Sequence, residues 1–104
     1  MQYCRIFQLD PDLPREEREW SFMGWDYAQK VFGQDAYICV YEYEADDRDD
    51  LEDIFTLFNI NRPDDFEGHS LSVSDIIELD NVPYYVDSFG FVELDDEYWD
   101  PDLA

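Results

Sequence analysis

Charge constrains this chain more than any other feature of its sequence. Its 104 residues carry 28 acidic side chains against six basic ones, a formal net charge of −22. The acids are spread over both halves of the chain, so a folded domain must tolerate strong repulsion across its surface. Two explanations fit: solubility or adaptation to high salt, and recognition of a basic partner such as a protein surface that normally holds nucleic acid.

The apolar content predicts a folded domain despite this charge. Hydrophobic residues make up 45% of the chain and aromatic residues 18%, which is atypical of a disordered segment. Cys4 and Cys39 are far apart in sequence, and we expect both thiols to be buried and reduced. Neither a secretory signal pattern nor a stretch long enough to span a bilayer is visible. We therefore expect a cytoplasmic protein that does not bind membranes.

The spacing of apolar residues predicts the order β-α-β-α-β-β. Strands are expected over residues 2–9 and 37–43, the second of them covered on both faces. Leu51, Ile54, Phe55 and Phe58 form one stripe of a helix over about 49–58, and this stripe should face the sheet. The other expected elements are a helix over about 24–32, a strand or a turn followed by a strand over 71–79, and a strand or tight hairpin over 84–94.

This order predicts an α+β fold, with a small antiparallel or mixed sheet of about four or five strands and two helices packed on it. The length suits a single domain, which we place over residues 1–94. Residues 95–104 are expected to form an acidic C-terminal tail. The strand order does not follow from the sequence.

No set of side chains forms a recognisable catalytic or metal-binding motif. His69 is the only histidine, and we expect it to be a loop residue bonded to backbone. Cys4, Cys39 and His69 lack the paired spacing of zinc ligands. Asp75 and Asp87 lie in apolar segments and are the best candidates for paired carboxylates, but both positions suit turns. We therefore expect no enzyme, no cofactor and no metal.

The acidic residues themselves are the best candidate for a binding surface. No basic patch is present, so direct binding of nucleic acid is not expected. Carboxylates two apart on a strand or four apart on a helix lie about 6–7 Å apart, a spacing that can approximate neighbouring DNA phosphates. The expected partner-binding residues fall into a helix-start group, Asp46, Asp47, Asp49, Asp50 and Asp53, and a C-terminal group, Asp95, Asp96, Glu97, Asp100 and Asp102.

The second half of the chain carries a specific sequence pattern. It reads F-N, then P-x-x-F-x-G-x-S-L-S-V-S-D, then Y-Y-V-D-S-x-G-F, and is met between Phe58 and Phe91. In this pattern the chain resembles the YodL-like domains of bacterial and mobile-element proteins, and I-F-Q-L and V-Y-E in its first half are also similar. The resemblance implies a role in countering host defence or in element transfer. It implies no catalytic activity and assigns no active-site residue.

Together these observations predict a non-enzymatic accessory protein of a mobile element. It would bind and inhibit a nucleic-acid-binding host defence enzyme, such as a restriction enzyme or a CRISPR nuclease, by mimicking DNA. The alternative is a regulatory or assembly module that binds a basic partner protein without DNA mimicry. The oligomeric state stays open.

Overall fold

A computed structural model describes all residues from 1 to 104. Five strands form one antiparallel sheet in the order β2-β1-β3-β4-β5, and two helices pack with it, which confirms the predicted α+β class. The strands are β1 (Gln2–Leu9), β2 (Tyr37–Ala45), β3 (Ile76–Leu79), β4 (Val82–Asp87) and β5 (Gly90–Glu93). The helices are α1 (Trp25–Ala28) and α2 (Leu51–Ile60), and short 3-10 turns occupy Arg15–Glu17, Gln34–Ala36 and Pro101–Leu103.

One face of the sheet is covered by α2 and the loop that follows it. Because neighbouring strand residues point to opposite faces, Ile6 and Ile77 lie on this side while Phe7 and Ile76 lie on the other. Ile54 and Phe58 of α2 are fully buried against this face. Leu51 and Phe55 are partly buried at its margin, so the predicted stripe does face the sheet.

The start of α2 is fixed by two acidic residues. The Asp50 carboxylate accepts a hydrogen bond from Asp53 N (2.9 Å), and the Asp53 carboxylate accepts one from Asp50 N (3.0 Å). Such a reciprocal capping box satisfies two backbone donors that the helix leaves free, and both charges meet the positive end of the helix dipole. The capping explains why α2 begins within two residues of the predicted start.

The opposite face carries the aromatic core. Trp20, Phe32 and Trp99 pack there against Phe7 and Tyr85, with ring centroids 4.9–6.4 Å apart in pairs such as Phe7–Trp99 and Phe32–Trp99. Only four residues of the cover are α-helical, because α1 ends at Ala28 and turns continue to the next strand. The helix predicted over about 24–32 is therefore too long: α1 brings Trp25 onto the sheet, and the turns after it bring Phe32 there.

Strand β2 lies at the edge of the sheet, not in its interior. It pairs only with β1, and Ile38 is 41% exposed, so the prediction that both its faces are covered is wrong. The register shifts between Ile6, opposite Tyr41, and Phe7, opposite Cys39, which leaves Val40 as an extra residue. A bulge of this kind twists an edge strand and hinders pairing with other chains.

Residues 95–104 fold back over the aromatic face. Trp99 is 2% exposed, and its Nε1 donates a hydrogen bond to Glu78 Oε2 (2.9 Å). Arg5 forms an ion pair with the same Glu78 carboxylate and donates to the carbonyl oxygens of Pro101 and Ala104 (3.1 Å each). The acidic C-terminal segment is thus part of the packed core, which the sequence alone did not indicate.

The buried Arg5–Glu78 pair should contribute strongly to stability. Arg5→Met leaves the Glu78 carboxylate, 1% exposed, without its counter-charge, so we expect the free energy of unfolding to fall by about 3–5 kcal/mol. Arg48→Met is the matched control, because it removes an ion pair whose arginine is 90% exposed, and its cost should stay below about 1 kcal/mol. Urea denaturation followed by tryptophan fluorescence measures both losses. Similar losses in the two variants would contradict the assigned role of Glu78.

Candidate functional site

The helix-start group lies in the loop that joins β2 to α2. Gln2, at the start of β1, holds this loop: its Nε2 donates to the carbonyl oxygens of Asp46 and Asp49, both at 3.0 Å. Asp49 N also donates to Asp46 O (3.0 Å), which closes a turn. The backbone of the loop is therefore fixed to the sheet while the Asp47 and Asp50 carboxylates are exposed.

The C-terminal group lies on a segment that runs from β5 across the aromatic face to β1. Asp95 O accepts hydrogen bonds from the amides of Tyr98 and Trp99, and a turn results. Gln34 then forms two hydrogen bonds with the backbone of Asp100, each 2.8 Å long. The segment is thus anchored at both ends, and its five carboxylates are exposed.

The two acidic groups share strand β1 as their base. Gln2 holds the helix-start loop, and Arg5 holds the C-terminal segment through Pro101 and Ala104. Three residues along a strand span about 10 Å, but the two side chains point to opposite faces of the sheet. The helix-start group therefore lies beside the α2 face and the C-terminal group over the aromatic face, at the same end of β1.

Two further exposed carboxylates lie on the edge strand β2, and the sequence did not identify them as candidates. Glu42 and Glu44 of β2 pair with Arg5 and Tyr3 across the ladder, and both glutamates are exposed. Their alternation with tyrosines along 41–44 is the signal that could have identified an exposed strand face. The helix-start group, Glu42, Glu44 and the C-terminal group are called the acidic band below.

Most of the negative charge of the acidic band has no counter-charge within the chain. The structure contains three ion pairs in all, and only two involve the band: the Met1 ammonium with Asp47 and Arg48 with Asp46. Hydrogen bonds from Arg48 lower the pKa of Asp46. Some band carboxylates also accept backbone hydrogen bonds, as Asp100 does from Asp102 N (3.0 Å), but they remain exposed to solvent.

A cavity of about 540 Å³ lies at the other end of β1, where Gln8 meets the loop before β3. Asp75 lines it and is 2% exposed. Its Oδ2 accepts hydrogen bonds from Ser72 N (3.0 Å) and Gln8 Nε2 (3.2 Å). Burial raises the pKa of Asp75 to about 7, opposed by the Ser72 amide, by His69 and by Gln8. The chain thus keeps a carboxyl group that titrates near neutral pH.

The cavity does not contain a recognisable catalytic constellation. His69 Nδ1 lies 2.7 Å from Ser70 O, as expected for a loop histidine bonded to backbone, and no hydroxyl or thiol is hydrogen-bonded to its ring. Asp87 accepts hydrogen bonds from the amides of Trp25 and Ser88, so it shares no partner with Asp75. No cluster of three or more His, Cys, Asp or Glu side chains is arranged to hold a metal ion.

The cysteines differ in environment. Both are free; Cys4 is buried, and burial raises the pKa of its thiol to about 12. Cys39 is exposed on the edge strand, so the prediction of two buried thiols is wrong for this residue. The edge position of β2 is the physical reason.

The pKa of Asp75 predicts a measurable pH dependence of stability. Between the ordinary value of 3.8 and about 7, Asp75 is protonated in the folded chain and ionised in the unfolded chain. Folding then takes up a proton, so this group's contribution to the free energy of unfolding is complete at low pH and is lost as pH rises through 7. In Asp75→Asn, the free energy of unfolding should decrease less between pH 5 and pH 8 than in the unaltered chain. Urea denaturation measures this free energy, and the exposed-site control Asp64→Asn should behave as the unaltered chain does. An unchanged pH profile in Asp75→Asn would contradict the assignment.

Comparison with known proteins gives one match. A family model described as YodL-like domain matches residues 3–96, which include α2 and nearly all of the sheet. No curated protein and no solved structure matches the chain. None of its helices has the length and apolar character that crossing a membrane requires. The chain belongs to the YodL-like domain family.

Proposed function

We propose that this chain is a non-enzymatic accessory protein of a mobile element that inhibits a nucleic-acid-binding host protein. The acidic band would occupy the basic surface on which that protein holds nucleic acid. The observation that carries the proposal is the anchoring of two acidic groups to the same end of one strand, through Gln2 and Arg5, with further exposed carboxylates on the neighbouring edge strand.

The charge arrangement supports recognition of a basic partner. Exposed like charges repel one another, and only two band carboxylates have a counter-charge within the chain. The carboxylates of Asp49, Asp96 and Asp102 accept no hydrogen bond, so their charges do not stabilise the fold in this way. A basic partner surface would relieve this repulsion and would attract the band over long range.

The geometry of the band is compatible with DNA mimicry. Glu42 and Glu44 are two residues apart on one strand face, which places their backbone positions about 7 Å apart. Duplex DNA presents about one charge per 1.7 Å of helix axis, and its binding proteins match these charges with Lys and Arg. A rigid band of closely spaced carboxylates offers the same kind of counter-charge to such a surface.

A restriction enzyme or a CRISPR nuclease is the proposed target class. These enzymes bind nucleic acid in positively charged channels, which an acidic band can enter. The resemblance to YodL-like domains of mobile elements supports the same class, because such elements encounter host nucleases during transfer.

A regulatory or assembly module is the second candidate, and the exposed edge of β2 favours it. The strand is nine residues long and pairs on one side only, so a partner strand could add to it beside the acidic band. Such a partner would also be basic but would not have to bind nucleic acid. Competition with DNA distinguishes the two candidates.

Neutralising the acidic band should weaken partner binding. The variant Asp47→Asn, Asp49→Asn, Asp102→Asn spares the helix caps, and we expect its association rate with a DNA-binding host nuclease to fall on the order of tenfold at low salt. The control Glu16→Gln, Glu17→Gln, Glu19→Gln removes as many charges near the other end of β1 and should have little effect. Surface plasmon resonance measures both rates. Equal effects of the two variants would indicate that only net charge matters.

Duplex DNA should compete with this chain for its partner. If the acidic band occupies the DNA site, excess duplex DNA lowers the apparent affinity of the partner for this chain, and the tighter the partner binds DNA, the larger this effect is. Inhibition of the nuclease should be lost at the same DNA concentrations. A partner that binds both molecules at once, each with unchanged affinity, would exclude mimicry and favour the assembly module.

Catalytic residues are not part of this proposal. His69→Ala and Asp75→Asn variants that fold should therefore bind and inhibit the partner as the unaltered chain does. The measurement is nuclease inhibition against variant concentration. A folded His69→Ala protein that binds its partner normally but no longer inhibits it would instead favour an enzyme.

A further inference from the structure

The cavity beside Asp75 has two side-chain oxygens that accept no hydrogen bond from the chain. Asp75 Oδ1 and Gln8 Oε1 accept no hydrogen bond within the chain, although both residues are only 2% exposed. The orientation of the Gln8 amide is set by its Nε2, which lies within 3.3 Å of His69 O, His69 Nδ1 and Asp75 Oδ2. Neither oxygen is among the side-chain atoms that are sealed from solvent without a partner, so both are accessible to a ligand that donates hydrogen bonds.

The backbone at Gly68 packs closely against the Gln8 side chain. A Cβ atom at Gly68 would lie 2.5 Å from Gln8 Oε1 and 2.9 Å from the Phe66 ring, so any larger residue there would have to displace one of these side chains. The close approach of this backbone holds the Gln8 amide in place. A pre-formed polar group of this kind is typical of a ligand site.

Two strained residues hold an aromatic ring at the same cavity. Phe22 has φ 65° and Ser74 has φ 89°, values that residues other than glycine rarely adopt. Phe22 N donates to Ser74 Oγ (3.1 Å), and Ser74 O accepts a hydrogen bond from the buried Tyr37 hydroxyl (2.6 Å). Phe22 lines the cavity and is 67% exposed. Backbone strain concentrates at functional sites, and here it keeps an apolar ring in solvent.

An arginine without an ion pair completes the lining. Arg18 donates from Nε to Leu13 O (2.9 Å) and forms no ion pair, in a chain with 28 acids. Its terminal nitrogens are therefore available to an anionic group. The cavity combines two free acceptor oxygens, an exposed ring and a guanidinium.

We propose that this cavity binds a nucleobase, as a nucleoside or nucleoside monophosphate, through Asp75 Oδ1 and Gln8 Oε1. A base supplies the N–H donors that these oxygens lack, and its flat ring can stack on Phe22. A phosphate would be bound by Arg18. The volume of about 540 Å³ lies in the range of small-molecule sites. This inference does not depend on the acidic band.

Isothermal titration calorimetry of the full chain tests the proposal. The probes are adenosine, guanosine, cytidine and uridine, their 5′-monophosphates, and ribose 5-phosphate as a ligand without a base. At least one nucleoside should bind with a Kd below about 1 mM, a free energy near −4 kcal/mol, and ribose 5-phosphate should bind more weakly than the matching monophosphate. If no nucleoside or monophosphate binds, or if ribose 5-phosphate binds equally well, the proposal is wrong.

Variants locate the site. Asp75→Asn and Phe22→Leu should each weaken binding of the base, whereas Arg18→Met should weaken only the monophosphate. Phe22 is exposed and Arg18 is only partly buried, so these variants keep the test valid if Asp75→Asn does not fold. The exposed-site control Asp64→Asn should bind as the unaltered chain does. Binding unaffected by Phe22→Leu and Asp75→Asn would place the ligand elsewhere and overturn the assignment.

Discussion

The Arg5–Glu78 ion pair is the interaction on which the rest of the structure depends. Glu78 is a charged residue in the middle of a buried sheet face, a position that is costly without a partner. Arg5 supplies the counter-charge, and Trp99 Nε1 satisfies the second carboxylate oxygen. Because Arg5 also binds the backbone of Pro101 and Ala104, the same pair determines where the acidic C-terminal segment lies.

This arrangement explains how so acidic a chain can keep a small core. Attractive contacts in the interior offset repulsion at the surface, and most of them are aromatic or apolar. One of the six basic residues is used inside the sheet, at Arg5, and not to neutralise surface acids. The acidic surface is therefore maintained by the way the few basic residues are distributed. Such a distribution is compatible with a surface that functions by charge.

Local sequence patterns predicted the regular elements of the fold well. The apolar stripe from Leu51 to Phe58 gave α2 because an amphipathic helix has a clear period and its cap residues are adjacent in sequence. The turn at Ser74 and Asp75 and the hairpin near Gly90, whose φ is +127°, also follow from local composition. Contacts between residues far apart in the sequence could not be predicted from these local patterns. In the sequence, Glu78 is one acidic residue among many and Trp99 belongs to the acidic C-terminal segment. Their roles become visible only in the folded sheet, where Arg5 lies beside both.

The candidate sites also depend on contacts between residues far apart in the sequence. Ten acidic residues could be named from the sequence because clusters of charge are local, but their attachment to the same end of β1 depends on Gln2 and Arg5. The cavity could not be predicted, because it requires Gln8 to meet a loop about sixty residues later in the chain. For the S-V-S-D run the sequence predicted a strand, or a turn followed by a strand, and indicated no cavity. Its backbone strain at Ser74 is visible in the structure alone.

Strand β1 connects these features through three polar residues spaced three apart. Gln2 holds the helix-start loop, Arg5 the C-terminal segment and Gln8 the cavity. Six residues separate Gln2 from Gln8, a distance of about 20 Å along a strand. A protein bound at the helix-start end of the acidic band would therefore leave the cavity open to a small molecule.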